Sequence, residues 1–300
     1  MTDAPEPPTV GRHALGPHVV GQRVVVRHLL PDGRATDVLG ICTSWGADTV
    51  VIRSDRGPVE VAIADIVTGK PVPPRPSVRH RVSAHDVEMH VASIWPELTT
   101  QPLGGWVLRT APPLGGRLRR RGNSALAMAD PGVPLANAAQ QVRSFYAELG
   151  QTPMIQVEAD GDIEAALAPL GFTPLGSGDA HCQLASVSRA LRAAGPAPGE
   201  GRLTESEGRC LVEYADGPVV VARGEAALDG DWLGLHALFV EPSRRRQGLG
   251  TKVIADLLDW GAALGATTAW LHVETDNDAG IAAYERLGFV THHTNRYLVG

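Results

Sequence analysis

The segment from Val240 to Gly250, VEPSRRRQGLG, places three consecutive arginines and two glycines immediately before a strongly helical run. The whole chain carries a formal net charge of −6, so this positive charge is a local feature. Free amides at the start of a helix, the helix dipole and nearby guanidinium groups bind anions, and glycine lets the backbone approach phosphate oxygens closely. The segment therefore predicts a site for a phosphate or pyrophosphate group.

The same segment belongs to a longer spaced pattern, V-x-P-x-x-R-x-x-G-x-G from Val240 to Gly250 and N-x₆-Y-x₃-G-F from Asn277 to Phe289. This pattern resembles the GCN5-related N-acetyltransferase (GNAT) superfamily over about residues 209–299. The resemblance implies an α/β fold with a mixed central sheet and helices on both faces, and acetyl-CoA as the acetyl donor. The residues that it assigns to acetyl-CoA lie on a splayed strand, in the loop with the helix start, and near the second motif: Leu238, Phe239, Val240; Arg245, Arg246, Gln247, Gly248, Leu249, Gly250, Thr251; Asn277 and Tyr284.

Acetyl transfer to an amine needs a neutral amine, a donor for the developing oxyanion and a proton for the departing thiolate. The resemblance implies that Tyr284 supplies the proton or a hydrogen bond to the CoA sulfur; packing or cofactor binding alone is the alternative role. His236 and Glu274, on the strands before and after the cofactor helix, are the candidates for the base, and a hydrogen-bonded sheet histidine is the alternative for His236. A backbone amide at or beside Val240 is the implied oxyanion donor.

No metal site is predicted. His272 shares a strand face with Glu274 if the strand is regular, but no third ligand stands at a helpful spacing. The cysteines are odd in number and widely spaced, which predicts neither a disulfide framework nor a metal site. We expect all three to be small buried apolar residues: Cys42, Cys182 and Cys210.

Composition predicts the organisation of the chain. Short β-branched runs separated by turn residues between Val19 and Val67 predict a five-stranded barrel, which resembles the SH3-like barrels placed ahead of some GNAT modules. Proline- and glycine-rich stretches predict linkers. The expected division is a flexible arm at 1–17, an SH3-like β-barrel at 18–70, a proline-rich linker at 71–80, a degenerate GNAT-like module at 81–190, a linker at 191–202 and a catalytic GNAT module at 203–300.

An internal repeat supports two related modules. The segment starting at Ile155, IQVEADGDIEAALAPLGF, resembles the segment starting at Leu271, LHVETDNDAGIAAYERLGF, and chance similarity is the alternative. In the first copy Leu167 stands where the second has Tyr284, and no arginine-glycine loop precedes the helix. The first module is therefore predicted to be catalytically silent. A group of its residues could bind an acidic substrate: Trp106, Arg109, Arg121, Asn123 and Ser124.

The balance of 33 acidic and 27 basic residues produces no field that would attract nucleic acid or an anionic membrane. No apolar run is long enough for a membrane helix, and the N-terminal residues lack the apolar region of a signal peptide. We therefore expect a cytoplasmic protein without a nucleic-acid or membrane partner. The barrel is expected to bind a peptide or another domain, and the sequence does not define the oligomeric state.

These features favour an N-acetyltransferase that acts on a primary amine of a small molecule or amino acid, with glutamate as one candidate. Protein or peptide acetylation is an alternative in which the barrel docks the substrate. A mycothiol-synthase-like enzyme is another, although that tandem GNAT family has no leading barrel. A non-catalytic CoA-responsive binding module is the alternative from a different class, but the presence of Tyr284 with the glycine loop favours catalysis.

Overall fold

The computed structural model describes residues 15–54, 57–72, 81–95, 97–113, 116 and 118–300. The chain divides into two compact units, Met1–Pro76 and Ser77–Gly300, which we describe separately. The arm predicted at 1–17 and the linker predicted at 71–80 lie almost wholly outside the described residues. Among the described helices, none is both long enough and apolar enough to cross a membrane.

The first unit contains a five-stranded antiparallel sheet with the strand order β4-β3-β2-β1-β5, so the predicted small all-β fold is confirmed. Alternate residues of β1, Val24 and Val26, are buried against Val50, Ile52 and Ile66, as the two-residue period of a strand requires. The strands of this five-stranded sheet are β1 (Arg23–Leu29), β2 (Ala35–Trp45), β3 (Thr49–Ser54), β4 (Gly57–Ala62) and β5 (Ile66–Pro71).

The second unit is built on one mixed sheet of twelve strands with helices on both faces, and the predicted α/β class is confirmed. The strands are β6 (Thr99–Leu103), β7 (Trp106–Thr110), β8 (Ala125–Leu126), β9 (Met154–Glu158), β10 (Thr173–Pro174), β11 (Ala180–Ser186), β12 (Arg202–Ser206), β13 (Arg209–Asp216), β14 (Val219–Asp229), β15 (Trp232–Val240), β16 (Thr268–Glu274) and β17 (Val290–Val299). The helices are α1 (Ala84–Met89), α2 (Leu135–Glu148), α3 (Asp162–Leu167), α4 (Val187–Ala194), α5 (Leu249–Ala263) and α6 (Asp278–Arg286).

The two repeated segments exchange their last strands. The order across the sheet is β12-β13-β14-β15-β16-β11-β17-β9-β8-β7-β6. Strand β11 follows β9 and α3 in the chain but pairs with β16, whereas β17 follows β16 and α6 but pairs with β9. Strands β11 and β17 also pair with each other. The repeat seen in the sequence is thus an interlocked pair within one continuous sheet.

Helix α1 precedes the first repeat in the chain but packs on the strands of the second. It continues as a 3₁₀ turn to Ile94 and buries Val87 and Val91 against Trp270 of β16. Two polar contacts hold it there. His90 Nδ1 lies 2.7 Å from Asp229 Oδ2, and Arg209 donates from Nε to the carbonyl of Ser93 at 3.0 Å.

Helix α5 covers the opposite face of the sheet. Apolar positions recur along α5 at three- and four-residue steps, including Val253, Leu257 and Gly261, and these are buried against the sheet, as expected for an amphipathic helix. Leu264 departs from that pattern and is 51% exposed, because the helix ends at Ala263 and the next residue turns toward solvent.

At the tyrosine-equivalent position of the first repeat, Leu167 is fully buried in the core around α2. For most of the residues predicted to bind an acidic substrate in the first module, the structure does not support that role. Trp106 donates from Nε1 to Ala129, Arg109 bonds Ser124 and Gln156, and Asn123 bonds neighbouring backbone. These side chains are buried and used within the core.

The exchanged strands predict that neither half folds alone. A fragment 199–300 lacks β11 from the middle of its sheet, and a fragment 81–198 lacks β17. We expect each fragment to show no cooperative thermal transition by circular dichroism, because an edge strand without its partner leaves both backbone and apolar groups exposed. Mixing or co-expressing the two fragments should restore the transition. Cooperative unfolding of 199–300 by itself would contradict the exchange.

Candidate functional site

The site begins where β15 and β16 separate. The two strands pair in parallel from Trp232 with Thr268 to Leu235 with Leu271, and no further pairing is described beyond Leu235. The cause is an irregularity in β15: Ala237 has a φ of 52°, and the register with β14 shifts opposite Gly224. A Cβ on Gly224 would lie 2.7 Å from Val253 Cγ1, so glycine lets this bend pack on α5.

A cavity of about 260 Å³ opens at this separation. It brings together all three predicted catalytic residues, Tyr284, His236 and Glu274, with two of the predicted cofactor residues, Leu238 and Asn277. The remaining lining residues come from β15, α5 and β16: Leu235, Ala237, Ile254, Leu257, His272 and Val273.

The predicted anion-binding loop follows β15. It runs through a 3₁₀ turn at Pro242–Arg244 to Gly248, whose φ of 80° is left-handed, and α5 begins at Leu249 without a side-chain cap. In the described part of the chain, no backbone carbonyl accepts from the amides of residues 246–251. These unpaired donors lie at the positive end of a 15-residue helix, where an anion is favoured.

The three arginines of the loop have different environments. Arg244 forms an ion pair with Asp216, so its charge is already partnered. Arg245 donates from Nε to the carbonyl of Val240 at 3.3 Å, which ties the loop to the end of β15. Arg246 is exposed and has no hydrogen-bond or ion-pair partner among the described residues. The charge available to an anion is therefore chiefly that of Arg245 and Arg246.

Asn277 and Tyr284 are positioned by α6. Asn277 is the N-cap of this helix, because its Oδ1 accepts a hydrogen bond from the Gly280 amide at 3.0 Å. Asn277 also lines the cavity. About two helical turns after Asn277, Tyr284 lies half-buried against the edge of the Phe289 ring. Burial raises the pKa of Tyr284, so the phenol keeps its proton at neutral pH and can donate it in a hydrogen bond.

The two predicted bases differ in how they are held. Burial lowers the pKa of His236 to about 4, and Arg209 and Arg121 add to this effect. Its nearest carboxylate oxygen, on Glu225, lies 3.9 Å from Nδ1, which is too far for a hydrogen bond. Glu274 is exposed at the end of β16. No hydrogen bond from a described residue orients either side chain.

Two polar residues of the site region received no role from the sequence. His272 lines the cavity, and its Nε2 lies 2.6 Å from Oε1 of the buried Glu88 on α1. The absence of a third possible ligand near His272 was the reason for predicting no metal. The structure brings Glu88, Cys182 and His293 together with candidate ligand atoms within 4.8 Å of one another. The sequence-based argument against a metal therefore overlooked this cluster, and the absence of a metal stays a prediction.

Two family models match the chain. Residues 199–298 match the family described as "Probable histone acetyltransferase Rv0428c C-terminal", and residues 18–70 match "Rv0428c N-terminal Sm-like domain". The second match covers the unit predicted to be SH3-like. Among solved structures, a GCN5-related N-acetyltransferase from Kribbella flavida superposes with a TM-score of 0.56 at 16% identity, covering 72% of this chain and 95% of the other.

The chain therefore has the fold of a GCN5-related N-acetyltransferase (GNAT), preceded by a small all-β unit. Curated relatives match the chain only locally. A mycothiol acetyltransferase from Streptomyces scabiei is 38% identical over 82 residues, 24% of this chain and 27% of the relative. A [ribosomal protein bS18]-alanine N-acetyltransferase from Escherichia coli K12 is 44% identical over 55 residues, 18% and 37% of the two chains. The chain thus spans about a quarter to a third of these relatives.

The assignment of the loop before α5 as an anion site predicts the effect of Gly248→Asp. The substitution places a carboxylate among the unpaired amides and opposes a bound anion, so the affinity for acetyl-CoA should fall at least about tenfold in isothermal titration calorimetry. Gly230→Asp is the matched control, because Gly230 also has a positive φ, 60°, and open space around it but lies in the turn before β15. Equal affinities of the two variants would contradict the loop assignment.

Proposed function

We propose that this GNAT protein is an acetyl-CoA-dependent N-acetyltransferase that acts on a primary amine of a small molecule or amino acid. One observation carries the proposal: the cavity at the separation of β15 and β16 opens beside the unpaired amides of residues 246–251 and is lined by Tyr284. A cofactor that carries a thioester and a pyrophosphate needs an anion site for the pyrophosphate, a neighbouring cavity for the thioester and a hydrogen-bond donor in that cavity.

The donor would bind with its pyrophosphate on the amides from Arg245 to Thr251 and its pantetheine arm along the unpaired edge of β15. Leu238 and Phe239 on this strand are 36% and 39% exposed, which is unusual for apolar residues beside a buried core. A pantetheine arm would cover them and gain about 25 cal/mol for each Å² of apolar surface removed from water. Backbone donors near Val240 would then face the acetyl carbonyl.

In the reaction the amine nitrogen attacks the acetyl carbon, the oxyanion forms beside the amides of β15, and the C–S bond breaks as the thiolate leaves. Reference pKa values of about 10 for tyrosine and 8.5 for a thiol make full proton transfer from the phenol uphill by about 2 kcal/mol. The raised pKa of Tyr284 increases this difference. Tyr284 is therefore proposed to stabilise the thiolate through a strong hydrogen bond as the sulfur departs.

The acceptor is proposed to carry a carboxylate. Two guanidinium groups, of Arg209 and Arg121, oppose the protonation of His236 in the cavity, which indicates a positive potential there. Arg121 forms no ion pair in the described part of the chain, and its Nε is buried without a partner. Glutamate and other amino acids fit this potential better than polyamines. A terminal peptide amine and a mycothiol precursor are the competing acceptors, given the local matches to such enzymes.

The first test is CoA release from acetyl-CoA, measured with a thiol reagent across amino acids, polyamines, an N-terminal alanine peptide and a cysteinyl mycothiol precursor. Amine-dependent release is expected, with faster turnover of carboxylate-bearing amines. If acetyl-CoA binds but no acceptor supports release, the proposal is contradicted and a CoA-responsive binding module becomes the better account.

The Tyr284→Phe variant tests the proposed donor. We expect kcat to fall at least about tenfold, within the range usual for loss of an acid–base group, with acetyl-CoA affinity unchanged within about twofold. Tyr297→Phe is the control, because this tyrosine lies on β17, away from the residues that line the cavity. An unchanged kcat for Tyr284→Phe would exclude the donor role.

A further inference from the structure

The floor of the cavity contains a histidine that is held more firmly than either predicted base. His272 lies on β16 with its side chain 5% exposed, and it lines the cavity beside Glu274 and Tyr284. Its Nε2 lies 2.6 Å from Oε1 of Glu88. No described residue forms a hydrogen bond with its other ring nitrogen, Nδ1.

The carboxylate that holds His272 is itself fixed from several directions. Glu88 is 1% exposed, and its Oε1 also accepts from Asn295 Nδ2 at 2.8 Å and lies 3.2 Å from His293 Nε2. Its Oε2 accepts from Gln156 Nε2 at 2.8 Å. The donors stand on three strands, β16, β17 and β9, so the carboxylate cannot rotate without breaking contacts on both repeats.

These contacts set the ionisation of the pair. Burial by itself would raise the pKa of Glu88, but the interactions with His272 and His293, hydrogen bonds among them, hold the pKa well below its usual value. Burial lowers the pKa of His272 to about 4, Arg121 acts in the same direction, and Glu88 opposes both. A neutral His272 still stabilises the carboxylate through its hydrogen bond to Oε1, so at neutral pH the pair is a carboxylate and a neutral imidazole.

The tautomer of His272 follows from this charge state. Because Nε2 is at hydrogen-bond distance from a carboxylate oxygen, Nε2 must carry the proton and donate it to Glu88. Nδ1 then carries the lone pair. A buried carboxylate that fixes one ring nitrogen of a histidine as donor leaves the other as the proton acceptor, which is the arrangement used to orient a general base.

We propose that His272 is the general base of the acetyl transfer and that Glu88 is the residue that positions it. The inference rests on the proposed function and selects a base that the sequence did not consider. His236 lacks a carboxylate within hydrogen-bond distance, and Glu274 is exposed without an orienting partner. His272 alone combines a place in the cavity with a fixed tautomer.

The proton transfers balance as follows. The acceptor arrives as a neutral amine, and attack forms a C–N bond whose nitrogen becomes positively charged and strongly acidic. His272 Nδ1 removes one N–H proton, directly or through one water, and the imidazolium is stabilised by Glu88. The C–S bond then breaks as the oxyanion reforms the carbonyl, and the thiolate leaves hydrogen-bonded by Tyr284. The thiolate takes a proton from solvent, and His272 returns the amine's proton to solvent, so no net proton is gained or lost.

A metal ion in place of the hydrogen bonds is the main competing account of this cluster. Glu88 already has four nitrogen groups within hydrogen-bond distance, and the Cys182 thiol adds a further contact. A carboxylate offers about four lone-pair sites, and the N–H groups of Gln156, His272 and Asn295 already occupy three of them. We therefore interpret the cluster as a hydrogen-bonded carboxylate, and metal content is measured as part of the test.

Steady-state kinetics of His272→Gln and His272→Ala test the base. With the best acceptor of the panel, kcat should fall at least about tenfold and the KM for acetyl-CoA should stay within about twofold. Added imidazole should restore part of the turnover of His272→Ala, and this rescue should rise with pH as the added imidazole loses its proton. His181→Gln is the control, since His181 on β11 bonds only the Thr294 hydroxyl at 2.9 Å. Full turnover by His272→Gln would overturn the proposal.

The positioning role of Glu88 is tested by the tautomer of His272, which ¹⁵N NMR of the histidine ring reports in the intact protein even without an acceptor. Wild type should show protonated Nε2 and unprotonated Nδ1, and Glu88→Gln should perturb this signature and lower kcat. If Glu88→Gln does not fold, Glu88→Asp, which keeps the charge and shortens the reach, is measured instead. A protonated Nδ1 in wild type, or one bound zinc per chain by elemental analysis, would overturn the assignment.

These measurements distinguish a failure of the proposed function from a failure of the assignment of His272 as the base. If wild type releases no CoA with any acceptor, the proposed function fails while the NMR result still decides the Glu88–His272 contact. If wild type is active and the His272 variants match it, the function stands and the assignment of the base fails.

Discussion

The second unit depends on the fact that β15 and β16 are held by different neighbours. Strand β14 pairs with β15 as far as Val240, while β11 pairs with β16 along its full length from Thr268 to Glu274. The two strands contact each other only up to Leu235, so neither can move to close the gap beyond it. The cavity is therefore a consequence of backbone pairing, and the strand exchange that delivers β11 to β16 is a condition for the site.

The buried carboxylate of Glu88 adds a second constraint to the same region. An ionised group out of water costs several kcal/mol unless polar partners surround it, so the donors on β9, β16 and β17 must all face α1. The first repeat, predicted to be catalytically silent, thus contributes to the site in two ways, through β11 and through Gln156. Arg109 orients Gln156 in turn, with a bond of 2.6 Å from Nη2 to Oε1. Arg109, predicted from the sequence to bind substrate, therefore supports the Glu88 carboxylate instead.

The sequence pointed to the parts of the candidate site that are encoded locally. The loop before α5 is one contiguous segment, and Asn277 at the cap of α6 and Tyr284 within it stand seven positions apart, so their spacing was informative. Glu88 was not predictable in this way, because its partners lie 68 to 207 positions away and a glutamate in a six-residue helix resembles any surface charge. The exchange of β11 and β17 was also missed, since strand pairing is not encoded in the strands' own periodicity. Strand β6 was overlooked because it contains Pro102, which an edge strand tolerates.

Amide hydrogen–deuterium exchange with and without acetyl-CoA tests the central claim most directly. The account predicts that acetyl-CoA slows exchange in two places, the amides of residues 246–251 and those amides of β15 beyond Leu235 that point toward β16 and not toward β14. Neither set has a backbone partner among the described residues of the free protein, and both gain one from the donor. The strands of the first unit should be unaffected. Calorimetrically confirmed binding that leaves both sets of amides unprotected would place the donor elsewhere and contradict the account.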